Sequence, residues 1–154
     1  MTFHRVLEGG VVYSEVGDRV RGVFFVFFSV CYFYVHHNKV KESDCAFENC
    51  TGLKEINLSD ILISIDESTF EGCSSLSSIT LPYNVSEIGD SAFQNCTRLK
   101  EINLSDMLIS IGEEAFKNCS SLEYLKIPRN VANLGDSAFE DCTGLKELTL
   151  PISL

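Results

Sequence analysis

Cysteine is the residue type in this chain best equipped for chemistry, and its spacing decides which chemistry to expect. Of seven Cys, five recur every 23 residues, at Cys50, Cys73, Cys96, Cys119 and Cys142, while Cys31 and Cys45 stand outside that register. Thiolates that share a metal ion usually sit about two to four residues apart, so this spacing argues against a metal site. An odd number of Cys cannot all pair within one chain. Rungs of a stacked coil lie about 4.8 Å apart, which a disulfide tolerates. A free Cys also packs as a small buried apolar group. One thiol per coil at one position favours the packing column, with all five thiols buried, reduced and metal-free. His4, His36 and His37 have no Cys or carboxylate at ligand spacing. No Ser/His/Asp order, phosphate loop or H-E-x-x-H pattern stands in the chain. The expectation is therefore no enzyme, no cofactor and no metal.

Asparagine offers a second chemistry. Asn49, Asn95 and Asn118, with Asp141, form a column just before the Cys, and the three Asn positions fit N-x-[ST]. So do Asn57, Asn84 and Asn103. Such sequons accept glycans in a secretory compartment. A repeat rich in Asn, Ser and Thr also generates them automatically, and the column before the Cys is better suited to capping backbone groups within each coil. Asn84 and Asn103 would be the more accessible acceptors.

What positions these residues is the repeat itself. Phe recurs at Phe47, Phe70, Phe93, Phe116 and Phe139, and Leu at Leu53, Leu76, Leu99, Leu122 and Leu145. Fixed-period self-similarity of this kind is the mark of a solenoid. Within one unit Phe93, Cys96 and Leu99 are three apart, which predicts a short helical or 3₁₀ turn with one buried face. Asp90 and Asp136 stand where an N-cap would satisfy that turn's free amides. The next stretch alternates, with Ile102 and Leu104 in and Glu101 and Asn103 out, as a half-exposed strand does. Leu108 and Ile111 seal the opposite side. Gly89, Gly112 and Gly135, with Asp66 in the same column, suggest a sharp turn at positive φ. Pro82, Pro128 and Pro151 end their strands, and Ser59 and Ser105 take that place in alternate units. Glu101-Ile-Asn-Leu-Ser-Asp106 repeats Glu55-Ile-Asn-Leu-Ser-Asp60, which points to duplication of a 46-residue pair.

A length of 154 residues allows one domain, and 45% hydrophobic content is enough for a continuous core. The net charge is −10, and all of the excess acid lies in residues 42–154. An acidic repeat array repels phosphate backbones, so nucleic acid is not an expected partner.

The units Ala-Phe-x-x-Cys-x-x-Leu-x-x-Ile-x-Leu-Pro and Val-x-x-Ile-Gly-x-x-Ala-Phe resemble the BspA-like class of leucine-rich repeats over residues 42–154. That class occurs on bacterial surfaces and in large surface-protein families of protists. The resemblance implies an α/β solenoid, a right-handed coil of short strands and short helical or 3₁₀ turns, in five 23-residue units with the last truncated. It implies a cell-surface or extracellular, adhesin-like protein that binds a protein or glycan. An intracellular interaction scaffold, or a fragment of a longer repeat protein, are the alternatives. The outward strand positions form the expected binding strip: Glu55, Asn57, Ser78, Thr80, Glu101, Asn103, Tyr124, Lys126, Glu147 and Thr149. Tyr124 is its only aromatic residue. Residues 1–41 form a separate segment with an apolar run at 23–35, too short for a membrane helix of about 20 residues. It reads either as a degenerate capping coil or as a signal or anchor, which leaves a membrane relation open. Counting back 23 sets Phe24, Phe27, Val30, Phe33 and Val35 on the core columns of the first coil. At the other end Leu145, Leu148 and Leu150 lie on an uncapped coil, a place for self-association.

Overall fold

The computed structural model describes residues 47–152 in full, and the backbone alone of residues 3–7, 11–16, 19–27 and 30–35. In the repeat region each coil contributes two short strands on two sides. On the first side are β5 (Glu55–Asn57), β7 (Ser78–Thr80), β9 (Glu101–Asn103), β11 (Tyr124–Lys126) and β13 (Glu147–Thr149). On the second are β6 (Ser64–Ile65), β8 (Glu87–Ile88), β10 (Ser110–Ile111) and β12 (Asn133–Leu134), which form one parallel sheet. Pairing follows the repeat, with Ile79 opposite Ile102, Leu125 opposite Leu148, and Ile65, Ile88, Ile111 and Leu134 in one row. Because the side-chain period of a strand is two, a 23-residue register keeps every inward side chain above its own copy.

The third side carries the aromatic column. Successive rings from Phe47 to Phe139 stack at 5.2, 5.2, 5.3 and 5.5 Å between centroids. Phe70, Phe93 and Phe116 are fully buried. Leu76, Leu99, Leu108, Ile111 and Leu122 close the core around them.

On this side the expected helical or 3₁₀ turns are reduced to isolated i→i+3 bonds, and no helix is present among the described residues. Backbone N–H groups instead alternate in direction. Those of Ser91, Phe93 and Asn95 donate up to the carbonyls of Glu113, Ala115 and Lys117 on the next coil at 2.8, 2.8 and 2.9 Å. Those between them turn back along the chain, Gln94 to the Ser91 carbonyl at 3.0 Å and Cys96 to the Phe93 carbonyl at 3.2 Å. A helix would point every amide along one axis. Positive φ at Ser91 (54°) and Asn95 (62°) breaks that continuity.

Three local expectations change as a result. The column before the Cys serves as a left-handed backbone position rather than a side-chain cap: Asn49, Asn95, Asn118 and Asp141 all have φ between 56 and 62°. Asn and Asp tolerate that region best after Gly, and Gly72 takes the place in the remaining coil. The Asp90 carboxylate does not cap its own turn but accepts the N–H of Glu113, one coil on, at 2.8 Å. The Gly column is not at positive φ; its cause is close approach. A Cβ on Gly112 would stand 2.5 Å from the backbone N of Asp90, and one on Gly89 2.7 Å from that of Glu67.

Coils alternate in kind, with the 46-residue period. β7 pairs with β9 and β11 with β13, but no ladder joins β5 to β7 or β9 to β11. Asn84 and Asn130 donate their amides to the backbone carbonyls of Asp60 and Asp106 below them, at 3.0 and 2.7 Å. The buried Ser105 hydroxyl donates to the Tyr83 carbonyl at 2.5 Å.

Ahead of the repeats, β1 (Phe3–Leu7), β2 (Val11–Val16), β3 (Arg19–Phe27) and β4 (Val30–Val35) form an antiparallel meander. β4 then pairs in parallel with β5, Cys31 facing Ile56. The offset is 25 residues, not the 23 expected by counting back, because β4 returns from an antiparallel partner instead of completing a coil.

The glycine mechanism makes a sharp comparison. Gly112→Ala should cost about 1–3 kcal/mol, the usual loss on forcing an extra carbon into a close-packed site. Gly52→Ala, where a Cβ meets nothing within 4 Å, should stay within about 0.5 kcal/mol of wild type. Urea denaturation measures both.

Candidate recognition surface

In each strand of the first side the central residue is inward and its two neighbours face out. Glu55 and Asn57 flank the buried Ile56, Ser78 and Thr80 flank Ile79, and Glu101 and Asn103 flank Ile102. Tyr124 and Lys126 flank Leu125, and Glu147 and Thr149 flank the half-buried Leu148. All ten outward residues are exposed, and they fall into two concavities. Glu55, Asn57, Ser78 and Thr80 line one of about 350 Å³. Glu101, Asn103, Tyr124, Lys126, Glu147 and Thr149 line one of about 760 Å³. Each concavity includes a place where the strand ladder is interrupted, β5 to β7 in the first and β9 to β11 in the second.

The larger concavity has the more varied chemistry. Tyr124 is 58% exposed and stands in register with Glu147. The Asn103 amide donates to Thr80 Oγ1 and to Glu101 Oε1, both at 3.3 Å. Lys146 lies 5.7 Å from the Tyr124 ring centroid and bonds Glu123 at 2.7 Å. The hydrogen bond to Glu123 holds the Lys146 ammonium above its usual range, and the same bond holds Glu123 below the carboxylate range. Both groups sit in water, so the pair fixes an orientation more than it stabilises. Glu123 and Lys146 escaped the sequence reading because it took only the alternating strand positions. Their signal is the column Lys54, Ser77, Lys100, Glu123 and Lys146, one residue before each strand.

The cysteines divide in a way their spacing concealed. Cys73, Cys96 and Cys119 are buried, Cys142 is half-buried, and Cys50 is exposed, against the expectation that all five are enclosed. The coil ahead of Cys50 is not the one that covers the others. The thiols of Cys73, Cys96, Cys119 and Cys142 each donate to the Phe carbonyl of the preceding coil, at 3.1 to 3.2 Å. This is a reason for Cys in place of Ala or Val, since the S–H adds a second hydrogen bond to a carbonyl that already accepts one backbone amide. Burial pushes the Cys96 thiol up to about 12 and that of Cys119 further. Among the described residues no cluster of His, Cys, Asp and Glu could hold a metal ion. Nor, among those residues, is any helix long and apolar enough to cross a membrane.

Residues 41–154 match the family model of the BspA type leucine rich repeat region, in six copies where the columns count five. The chain belongs to that family. Its fold is similar to that of a Treponema pallidum leucine-rich repeat protein, with a TM-score of 0.72 and 25% identity over 94% of this chain and 71% of that one. It is also similar to a leucine-rich repeat protein of Bacteroides ovatus, with a TM-score of 0.61 and 24% identity over 99% of this chain and 52% of that one. A leucine-rich cell surface protein of Faecalibacterium prausnitzii gives a TM-score of 0.62 and 22% identity over 98% of this chain and 34% of that one. The chain thus spans about half and a third of the last two. No curated protein matches it in sequence.

Thiol chemistry tests the cysteine column. In a variant with Cys31 and Cys45 replaced by Ser, native titration with an aromatic disulfide should label Cys50 quickly and Cys142 slowly. Cys73, Cys96 and Cys119 should react only after denaturant is added. The raised thiol of Cys96 also sets a sign. The unfolded chain loses that proton near pH 9 and the native chain near pH 12, so the unfolded form binds fewer protons between them. The urea midpoint should fall as pH rises through that window.

Proposed function

We propose that this chain is a non-enzymatic recognition scaffold, displayed at a cell surface, whose exposed strand residues bind a protein ligand. Family membership supports a binding scaffold, because repeat solenoids present continuous ladders of side chains to partners. The observation that carries the reading is Tyr124, an exposed ring in the larger concavity with carboxylates, an amide and an ammonium around it. Buried aromatic anchors ringed by polar groups dominate binding energy at protein interfaces. The cell-surface reading draws on the Faecalibacterium neighbour, described as a cell surface protein. Protease accessibility on intact cells tests it against an intracellular scaffold, which would be shielded.

Peptide and glycan arrays probed with the full chain decide the ligand class. A peptide ligand should lose about tenfold or more in affinity in Tyr124→Ala, the scale of a hot-spot residue, while Glu67→Ala on the second side leaves it unchanged. Binding confined to the glycan array would replace the protein ligand with a carbohydrate one. Equal loss in both variants would show that the strip is not the site.

Two further roles accompany this reading. Residues 1–41 serve as the cover of the first coil, supported by the pairing of β4 with β5. Removing them should lower the urea midpoint of the repeats; an unchanged midpoint would make the segment independent of them. The half-buried Leu145 and Leu148 and the exposed Leu150 are the alternative place for contact with another copy. The sedimentation experiment described next distinguishes that site from another.

A further inference from the structure

The two kinds of coil differ most at the outer corner between the strand side and the second sheet. Coils with Ser59 or Ser105 put large apolar side chains there. Ile61 and Ile63 are 43 and 44% exposed, and Met107 and Ile109 are 42 and 50% exposed. Each pair flanks a buried Leu, Leu62 or Leu108. Coils with Pro82 or Pro128 have Asn84 and Ser86, or Asn130 and Ala132, at the same positions. The Asn side chains are turned toward the coil below, with their amides on the Asp60 and Asp106 carbonyls. The corner therefore reads ridge, notch, ridge, notch along the solenoid. Ridges are two rungs apart, about 9.6 Å.

That order is complementary to its own reverse. A two-fold axis perpendicular to the stack sets the first ridge against the last notch and the second ridge against the first notch. Parallel alignment would set ridge on ridge. The neighbouring column, Asp60, Tyr83, Asp106 and Arg129, obeys the same rule. Reversed, it places Asp60 against Arg129 of the second copy and Tyr83 against Asp106 of the second copy, each contact occurring twice. All four side chains are exposed, and none of them has an ion pair among the described residues. In parallel alignment Asp60 and Asp106 would each face their own like charge.

We propose that a second copy of this chain docks antiparallel on this corner, its Ile61/Ile63 and Met107/Ile109 ridges seated in the Ser86 and Ala132 notches. An isologous contact of this kind closes on itself and forms a dimer, not a fibre. Apolar ridges supply burial, while the paired charges set the register and exclude the parallel arrangement.

Sedimentation velocity on the full chain, over a wide concentration range, tests the proposal. Wild type should show a monomer–dimer equilibrium, and Ile63→Lys with Ile109→Lys should leave monomer alone. Arg129→Asp should weaken the dimer about tenfold, the scale of one exposed charge contact made twice. Asp60→Arg combined with Arg129→Asp should restore it, since the reversed charges again face each other. That rescue decides the matter even where the lysine variant folds poorly. A chain that stays monomeric, a dimer indifferent to the corner lysines, or the absence of rescue would overturn the proposal. A dimer abolished by Leu150→Lys and kept by the corner variants would place association on the last coil and would also overturn it.

Discussion

The bond on which this structure depends is the backbone hydrogen bond from one coil to the next. It runs on every side of the solenoid. Parallel strand ladders carry it on the first and second sides. On the turn side, amides such as those of Phe70, Phe93 and Phe116 reach the coil above at 2.8 Å. A buried amide without a partner costs as much as a lost hydrogen bond. Satisfying amides through a neighbouring coil removes that cost only if the neighbour has the same length. The invariance of the 23-residue period follows from it, and the side-chain columns follow from the period.

How much of this the sequence disclosed depends on what each residue reports. Inward columns were legible, because apolar identity records burial directly: Phe93, Leu99, Ile102, Leu108 and Ile111 are all enclosed as their spacing implies. Backbone conformation was legible only in part. Asn95 signals a special position, but Ser91 and Glu114, also at positive φ, are residue types with no such preference, so the alternation of amides was hidden and a helical turn seemed natural. Gly112 announced an unusual site without saying which kind, since positive φ and close approach select the same residue. Cys50 broke its column because burial is a property of neighbours, and the neighbour ahead of it belongs to a different kind of structure. The outward strand residues were placed by alternation alone. Their grouping into two concavities depends on ladder interruptions that no residue type announces.

The alternation of Ser and Pro coils links packing to surface. Pro cannot donate a ladder bond, so a coil that ends its strand in Pro meets its neighbours differently from one that ends in Ser. In the Ser coil the freed position is used by the hydroxyl of Ser105, which ties back to Tyr83. In the Pro coil the Asn amide ties back to the Asp carbonyl. Each of these bonds joins one kind of coil to the other. They make the pair of coils, not the single coil, the physical unit, in keeping with the near-identity of residues 55–60 and 101–106.

A repeat protein must reconcile a core that demands sameness with a function that demands difference. The inward positions here hold almost nothing but Phe, Cys, Leu, Ile, Val and Ala, and a substitution there is felt by two neighbouring coils at once. Outward positions carry no such demand. The strip changes from Glu and Asn in β5 and β9 to Ser and Thr in β7 and to Tyr and Lys in β11. Tyr124 and Lys126 are the largest departures from the pattern, and they fall in one coil beside Lys146 and Glu123. Tyr124 gains one rung-to-rung contact of its own, with the Lys146 ammonium 5.7 Å from its ring centroid. Freedom of this kind at outward positions lets a solenoid vary its surface while its core stays the same.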